Sequence, residues 1–462
     1  MGKKRVLIVG GGTSGLAAAY SLLRSKEDIE VVVLEAADRA GGRIAGDEVD
    51  GFFIDTGAET FIESYSTVRK LAESLGIPLM YPPSVTGGLI YSKGDFHGGY
   101  VGGNLKQRLE TLKTLILFRV FSLKAILQML RFSRMMKKRS KDLSIEDPMK
   151  LAAFDTEQSF AAFAENNSLS DYVNEIAHVN IAAYTAASAE EIGAAYGMSV
   201  LWNFSLNRAE NICLPEKGVG SFATALVRAC AEATRVSTPV QRIVIENGAA
   251  TGVVTESGES IPADAVICAV PATIATRIVP ELPADVRDVL SRISYSPVVK
   301  VVMGLDCELF PRSMLAALFP KHSGSFLLAV VNFKCVAPGI APEGKSLLHV
   351  LTVGDDTRAL LPLSDDAIET KVVGEVRKYF PAMVQPPRFV RVYRWKEALC
   401  IPSGGMLRDV QRIRANGLDG VRGLFLAGDY TRVPVSNGAL ESGIDAADDS
   451  LSFLRRMKTE AD

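Results

Sequence analysis

Runs of consecutive apolar residues, each closed by glycine or a turn, mark the predicted buried strands of this chain. Val6–Val9 and Val31–Leu34 contain no polar position, and neither do the runs at 265–270 and 424–427. Such unbroken runs are typical of strands buried on both faces of a parallel sheet. A glycine-rich turn and a helical stretch from Leu16 follow the first run. The pattern therefore predicts an α/β fold.

The first turn has the glycine spacing of a dinucleotide-binding loop. Gly10 permits the tight turn, Gly12 lets the backbone approach a pyrophosphate, and Gly15 lets the helix pack on the strand. Free N–H groups at the helix N-terminus would face the phosphates. Glu35 closes the second strand, where an acidic residue can accept hydrogen bonds from ribose hydroxyls. These residues predict an adenine dinucleotide site.

Composition and charge are ordinary for a globular protein except in one segment. A chain of 462 residues is too long for one core, so two or three domains are expected, and 48% apolar with 23% charged residues is ordinary for globular proteins. The overall net charge is −2, yet residues 104–141 contain eleven basic residues and a single acid, Glu110. This strongly basic segment needs its own explanation.

The basic segment predicts a helix through 115–136, since it contains neither glycine nor proline. At helical spacing its basic side chains fall in one arc beside a wide apolar face: Arg119, Lys124, Arg131, Arg134 and Lys138. This pattern favours an interfacial helix on anionic lipid. The alternative is a helix packed on its own core with a solvated charged face. Nucleic-acid binding is not expected, because side chains for base readout are sparse here.

The remaining chemistry-bearing residue types predict no metal site and an intracellular thiol state. Six cysteines are scattered without a Cys-x-x-Cys pair, and the four histidines are isolated in sequence. We expect reduced thiols and a cytoplasmic protein, peripheral on the membrane if the basic segment docks there. The N-terminus does not fit a signal peptide, and no run of apolar residues is long enough for a transmembrane helix.

Several motifs resemble the flavin-containing amine oxidase superfamily. Arg39 to Arg43 resembles the Arg-x-Gly-Gly-Arg element that follows the acidic residue in these flavoproteins, and residues 426–431 resemble their C-terminal flavin motif, as they do that of carotenoid desaturases. The resemblance implies FAD. The residues implied to bind it are Gly10, Gly12, Thr13, Ser14, Gly15, Glu35, Ala36, Arg39, Gly42, Arg43, Gly57, Ala58, Glu59, Val240, Trp395, Gly428, Asp429, Asn437, Gly438 and Ala439.

The resemblance also suggests individual roles. The Gly57–Phe61 stretch looks most like bacterial protoporphyrinogen or coproporphyrinogen oxidases, and its Glu59 is either a catalytic base or a structural anchor of the loop. Lys300 interrupts an apolar strand; in amine oxidases a similar lysine holds a water near the flavin, which makes it the candidate catalytic residue. The alternative is a packed stem whose amine reaches solvent. Met406 follows Gly405 where covalent relatives have cysteine, so we expect non-covalent FAD.

The C-terminal motif predicts a buried strand that ends at Asp429, followed by a helix. Asn437 is a good N-cap for that helix, and the positive end of the helix dipole would stabilise negative charge on the flavin. Amine oxidases usually have an aromatic residue before this helix. Pro434 and Val435 stand here instead. This departure fits an apolar substrate better than an amine.

The expected fold is a glutathione-reductase-like FAD-binding Rossmann domain with a mixed-sheet substrate domain and a helical insert. We predict that the FAD-binding domain comprises residues 1–80, 211–280 and 401–462. The substrate domain would comprise 81–210, including the insert with its membrane-binding helices at 104–141, and 281–400. The oligomeric state is open, with a homodimer as one candidate.

The predicted function is FAD-dependent dehydrogenation of a hydrophobic small molecule, in the manner of protoporphyrinogen oxidases. The alternatives are a carotenoid or isoprenoid desaturase, a flavin amine oxidase, and a non-catalytic FAD-stabilised lipid-binding or scaffold protein. Only one Gly-x-Gly-x-x-Gly with its acidic residue is present, so we expect oxygen or a quinone, and not a nicotinamide, to exchange electrons with the flavin.

Overall fold

The structure is a computed structural model that describes residues 3–82, 87–100, 105–144, 147–206, 212–311, 314–415 and 421–461. Asn104, the first residue of the basic segment, lies outside the described residues, as does the predicted boundary between residues 210 and 211. All the predicted site residues lie inside them.

Strands occur along the whole chain. In chain order they are β1 (Lys4–Val9), β2 (Ile29–Leu34), β3 (Gly46–Val49), β4 (Phe52–Asp55), β5 (Phe61–Ile62), β6 (Leu79–Met80), β7 (Gly87–Ser92), β8 (Asp95–Tyr100), β9 (Ile212–Pro215), β10 (Thr234–Arg235), β11 (Val240–Glu246), β12 (Ala249–Thr255), β13 (Ser260–Pro262), β14 (Ala265–Cys268), β15 (Ser294–Leu305), β16 (Met314–Leu318), β17 (Ala329–Val331), β18 (Ser346–Leu351), β19 (Phe389–Ile401) and β20 (Leu424–Leu426).

Helices connect the strands and also form one continuous insert. In chain order they are α1 (Thr13–Leu23), α2 (Ser66–Ser74), α3 (Leu105–Leu117), α4 (Leu123–Lys138), α5 (Pro148–Ala153), α6 (Phe160–Asn166), α7 (Ser170–Tyr172), α8 (His178–Thr185), α9 (Ala194–Leu201), α10 (Val219–Ala229), α11 (Ala272–Ile278), α12 (Ala284–Arg292), α13 (Gly354–Leu360), α14 (Asp365–Tyr379), α15 (Met406–Ala415) and α16 (Ser436–Ala461). Two π-helical turns, Val173–Ala177 and Trp202–Leu206, lie in the insert.

The first layer is a parallel sheet built from distant parts of the chain. Within the described ranges its strand order is β10-β2-β1-β14-β20, and each neighbouring pair is parallel. The apolar runs in β1, β2 and β14 are buried, as expected for central strands covered on both faces. Helices α1 and α16 pack together against this sheet. The α/β prediction is confirmed.

The second layer is a mixed sheet. Its order within the described residues is β19-β15-β18-β17-β16-β7-β8; β16 and β7 run parallel, and the other neighbours are antiparallel. Helix α14 covers one face through Ile368, Val372 and Val376. The opposite face turns toward the loop after β4, which is how this sheet contributes side chains to the site described below.

The basic segment does not form the single helix predicted for 115–136. Helix α3 ends at Leu117 and α4 begins at Leu123, because Arg119 adopts a left-handed backbone (φ 48°) and Ser122 starts a new helix by accepting a hydrogen bond from the Ala125 N–H. Arg119 is therefore in a turn, off the arc of basic residues. No helix of the described residues is long and apolar enough to cross a membrane.

Candidate functional site

Two glycine turns face each other at the carboxyl end of β1. The Gly41 N–H donates to the Gly11 carbonyl at 2.9 Å. A Cβ on Gly42, whose φ is +56°, would come within 2.9 Å of the Gly12 Cα, and a Cβ on Gly15 would lie 1.9 Å from the Gly10 carbonyl oxygen. The close approach requires glycine, and it leaves backbone amides from both turns beside the N-terminus of α1, where Thr13 and Ser14 stand.

Glu35 is held by backbone donors next to this cradle. Its Oε2 accepts from the Gly11 N–H at 2.7 Å, and its Oε1 accepts from the Ala37 N–H at 2.8 Å. The Thr238 N–H donates to the Glu35 carbonyl at 2.8 Å, which brings the segment before Val240 to the same edge. Each carboxylate oxygen keeps a lone pair for a ribose hydroxyl. Ala36 is exposed beside it.

The two arginines of the second glycine element have different partners. Arg39 is exposed and pairs with Asp47. Arg43 is partly buried and binds Asp429 through two hydrogen bonds of 3.0 and 3.1 Å. Burial lowers the pKa of Arg43, but the charge and hydrogen bonding of Asp429, together with Tyr295 and Cys400, outweigh burial, and the pKa is raised. This bidentate pair joins the N-terminal and C-terminal motifs of the predicted cofactor site.

The C-terminal motif packs tightly against α1. The Gly428 N–H donates to Ser442 Oγ at 2.9 Å, and that hydroxyl lies 3.3 Å from Ser14 Oγ. A Cβ on Gly438 would lie 2.1 Å from the Val433 carbonyl oxygen, so the start of α16, with Ala439, turns close to the preceding chain. These contacts bring the predicted residues of both termini to one place.

The sequence predicted that Asn437 caps its own helix, and this prediction is wrong. Helix α16 begins one residue earlier, at Ser436, so Asn437 lies inside the first turn. Its Oδ1 accepts hydrogen bonds from the N–H groups of Thr67 and Val68, at 3.0 and 3.1 Å, and these belong to the first turn of α2. Asn437 therefore caps α2, whose preceding residue Tyr65 provides no side-chain cap.

The loop after β4 is packed between the two sheets. The Trp395 indole N–H donates to the Thr56 carbonyl at 2.7 Å. A Cβ on Gly57 would lie 2.1 Å from the Arg43 carbonyl oxygen, and the Ala58 N–H donates to that same oxygen at 2.9 Å. Thus Gly57, Ala58 and Trp395 are anchored beside the Arg43–Asp429 pair.

Lys300, Glu59 and His349 form a buried ionic cluster on this loop, which we call the Glu59 cluster. Glu59 Oε1 lies 2.8 Å from Lys300 Nζ and 2.9 Å from His349 Nδ1. Lys300 also donates to the Gly57 carbonyl at 3.1 Å. Lys300 and His349 are each 1% exposed, so the amine of Lys300 does not reach solvent. The geometry matches the anchor alternative for Glu59.

The cluster has a defined ionisation pattern. Burial opposes the charge on Glu59, but Lys300 and then His349 outweigh it and lower its pKa to about 2. Burial, followed by the nearby Lys300 charge, lowers the pKa of His349. Because an ionised Glu59 can only accept, the neutral imidazole carries its proton on Nδ1. Burial raises the pKa of Asp55 to about 7, although Lys300 and the Gly220 N–H oppose the rise.

His349 was missed by sequence reasoning, which treated the histidines as isolated. The only signal was a polar residue within the apolar run of Ser346–Leu351. The contact depends on the pairing of β15 with β18, in which Val302 is opposite His349 and Lys300 is opposite Leu351. That pairing joins segments about fifty residues apart, and no local pattern specifies it.

The residues brought together fit FAD. The paired glycine turns form a cradle that a Cβ at Gly42 or Gly15 would disrupt, a helix N-terminus lies beside it, and Glu35 stands at its ribose end. The Arg43–Asp429 pair and the Gly57 loop lie at its other end. Bound FAD supplies hydride-accepting chemistry; the chain binds and orients it. The individual binding residues and the non-covalent attachment stay predictions.

Comparisons with known proteins agree with this reading. Residues 13–451 match the model of the flavin containing amine oxidoreductase family. Coproporphyrinogen III oxidase of Bacillus subtilis is 22% identical over 98% of this chain and 99% of its own length. Polyamine oxidase 4 of Oryza sativa is 25% identical over 98% of this chain and 90% of its own length.

A solved structure of similar fold covers nearly the entire chain. The putative protoporphyrinogen oxidase from Exiguobacterium superposes with a TM-score of 0.75 at 20% identity, over 97% of this chain and 99% of its own. With the family match over 13–451 and the glycine cradle described above, the chain belongs to the flavin containing amine oxidoreductase family and is an FAD-dependent oxidoreductase.

Proposed function

We propose that this enzyme dehydrogenates an apolar, uncharged reacting centre, in the manner of a porphyrinogen oxidase. The observation that carries the proposal is the state of Glu59. Its carboxylate is already bound by Lys300 at 2.8 Å and His349 at 2.9 Å, so it offers little attraction for a cationic amine. Asp55 is likewise engaged, since its Oδ1 accepts from the Gly220 N–H at 2.7 Å.

Two further observations support an apolar substrate. The residues before α16 are aliphatic: Val433 and Pro434 are buried, and Val435 is partly buried. A relative named coproporphyrinogen III oxidase matches nearly the whole chain, and a relative named protoporphyrinogen oxidase is 45% identical over a stretch of 74 residues.

Amine oxidation is the second candidate, favoured by the polyamine oxidase relative and by the fold of putrescine oxidase, which superposes with a TM-score of 0.73 at 17% identity. A protonated amine is attracted to an uncompensated carboxylate or to an aromatic face. The pairing of Glu59 argues against that candidate. A polyene desaturase and a non-catalytic flavoprotein remain as alternatives that the following experiment separates.

The test is anaerobic mixing of the purified holoprotein with one member of each substrate class. Coproporphyrinogen, a polyene and putrescine are compared by loss of the absorbance band of oxidised flavin. We expect bleaching with the tetrapyrrole only. Bleaching with putrescine alone would establish the amine oxidase, and no bleaching with any compound would favour the non-catalytic alternative. Admitting oxygen or a quinone afterwards tests the proposed electron acceptors.

We also propose that the turn between α3 and α4 docks on an anionic membrane. Three leucines on one face of α4 are exposed, Leu123 by 65%, Leu127 by 58% and Leu130 by 39%. We call them the leucine face. The preceding turn adds the exposed apolar residues Ile116, Leu117 and Phe118. Contiguous exposed apolar surface of this kind marks interaction sites.

The charged residues around the leucine face indicate which kind of partner would bind there. Lys113, Arg119, Lys124 and Arg131 are exposed near it. A cavity of about 800 Å³ opens at the turn, with the apolar residues Val120, Phe121 and Ile126 and the cations Lys93 and Arg119 among its lining. Glu175 also lines the cavity, and Lys124 is paired with Asp171, but the exposed Lys113, Arg119 and Arg131 beside exposed apolar side chains suit the headgroups and acyl chains of anionic lipids. Flotation with vesicles should show binding that requires phosphatidylserine; equal recovery in the soluble fraction with and without it contradicts the proposal.

A further inference from the structure

We propose that Glu59 and His349 are positioning residues for Lys300, and that together they set how much positive charge this lysine presents to the bound flavin. The inference rests on the FAD site and not on the identity of the substrate. It can therefore fail while the proposed dehydrogenation stands, and the reverse also holds.

The sheet presents Lys300 and His349 on one face. In the β15–β18 register Lys300 is opposite Leu351 and His349 is opposite Val302, so the two side chains are diagonal neighbours. Glu59 enters between them from the loop after β4, and one of its oxygens, Oε1, contacts both. The second donor contact of Lys300, to the Gly57 carbonyl, directs its ammonium to the loop that packs on Arg43.

His349 touches the cluster with one nitrogen only. Its Nδ1 contacts Glu59, whereas its buried Nε2 has no hydrogen-bond partner among the described residues. Phe333 packs edge-on against the ring, with centroids 5.3 Å apart. Packing therefore holds the His349 ring, and its one polar contact orients Glu59. This is the arrangement by which one side chain fixes the direction of another.

The electrostatic consequence follows from burial. Charges in a poorly solvated interior act strongly on their surroundings. Lys300 alone would favour the reduced flavin, which carries the more negative charge, and the ionised Glu59 cancels most of that effect. His349, as a neutral donor, holds the carboxylate against the ammonium. Removal of either charge should therefore shift the reduction potential of the flavin, and the two shifts should have opposite signs.

The experiment measures the reduction potential of bound flavin by dye equilibration in the holoenzyme, without substrate. Glu59→Gln leaves the Lys300 charge uncompensated, so the potential should rise. Lys300→Met leaves the Glu59 charge uncompensated, so the potential should fall. The double variant should return close to wild type. A merely structural cluster would shift both single variants the same way or not at all, and either result overturns the proposal.

His349 is tested by a conservative pair. His349→Asn keeps an N–H donor near the Nδ1 position and should retain the wild-type potential. His349→Phe removes the donor and should raise the potential by less than Glu59→Gln does. Equal potentials for the two His349 variants contradict its positioning role.

The control is Lys378→Met, which removes a lysine paired with Glu375 on α14, the helix that covers the opposite face of the mixed sheet from the cluster. Its potential should equal that of wild type. Should Lys300→Met not retain FAD, the isosteric Glu59→Gln carries the test by itself, and an unchanged potential in that variant rejects the inference.

Discussion

The Glu59 cluster and the leucine face both combine cations with apolar surroundings, and they do so in opposite ways. Lys300 is 1% exposed and has two protein acceptors, whereas Lys113, Arg119 and Arg131 are exposed on the basic segment. In the cluster the apolar residues enclose the charge. At the leucine face the apolar residues are themselves exposed.

The comparison of these two regions shows that the burial of a charged side chain determines which partners it can have. A buried ammonium must find its acceptors within the fold, because an unpaired buried charge is very costly. An exposed cation is solvated and stays available to an external anion. We therefore expect Lys300 to act on the cofactor bound inside the protein. The exposed basic residues of the insert are available to a partner outside it.

The largest expected effect concerns the cofactor on which the cluster is proposed to act. Gly42→Val adds a side chain 2.9 Å from the Gly12 Cα at a φ of +56°. We expect FAD affinity to fall by at least tenfold, since overpacking costs about 1–3 kcal/mol and a β-branched residue held at this positive φ costs about 1–3 kcal/mol more. The ratio of flavin to protein absorbance measures it. Gly374→Ala in α14, where nothing lies within 4 Å, is the control and should keep its FAD.

The second prediction tests the dependence of the buried charges on each other. Lys300→Met leaves Glu59 buried without its main partner, so the free energy of unfolding should fall by about 3–5 kcal/mol. Denaturant unfolding measures the change. The double variant Glu59→Gln with Lys300→Met should recover a large part of it. A double variant less stable than Lys300→Met would mean that the two residues do not stabilise each other.

The third prediction uses two carboxyl groups of one loop whose pKa values move in opposite directions. Because the pKa of Asp55 is raised from 3.8 to about 7, the native state binds the extra proton, and its contribution to stability declines as pH rises from about 4 to 7. Asp55→Asn should remove that decline, an effect of a few kcal/mol.

The contribution of Glu59 to stability changes with pH in the opposite direction. Its pKa is lowered from 4.5 to about 2, so its stabilisation is present above pH 4.5 and is lost as pH falls through 2. Unfolding measured from pH 4 to 8 should therefore differ between wild type and Asp55→Asn in slope, while Glu59→Gln lowers stability by a nearly constant amount. A pH-independent difference for Asp55→Asn contradicts the assignment.

The smallest expected effect on the stability of the fold concerns the exposed region. Replacing Leu123, Leu127 and Leu130 with serine should weaken vesicle binding. The midpoint of thermal unfolding should not fall, because these side chains are exposed in the fold. Each buried CH₂ contributes about 0.8 kcal/mol to membrane affinity. Val384→Ser, a change at an apolar residue that is 76% exposed elsewhere, is the control. Loss of folding in the triple variant would show that the leucine face is a packing surface.

The sequence predicted what its local patterns encode. The Gly10–Gly15 turn, the strand before Glu35 and the burial of β14 all follow from residue spacing. The convergence of Arg43 on Asp429, 386 residues away, was implied only by family resemblance. Its geometry depends on the packing of α1 and α16 against one sheet.

The failures share a physical cause. Asn437 has the right residue type for a cap, but tertiary packing directs its side chain to α2. The break at Arg119 contradicts the helix predicted through 115–136, since no glycine or proline marks it. The partnership of Lys300 with His349 depends on a long-range strand register. At the break, the Ser122 N–H and hydroxyl donate to Glu175, so in each case contacts distant in sequence outweighed local preference.

The central claim is that the compensated Glu59 cluster equips this flavoenzyme for an uncharged reacting centre. The most direct measurement is the anaerobic rate of flavin reduction by coproporphyrinogen compared with putrescine, on the same holoenzyme. We expect rapid reduction by the tetrapyrrole and none by the diamine. Reduction by putrescine with no reduction by coproporphyrinogen would contradict it.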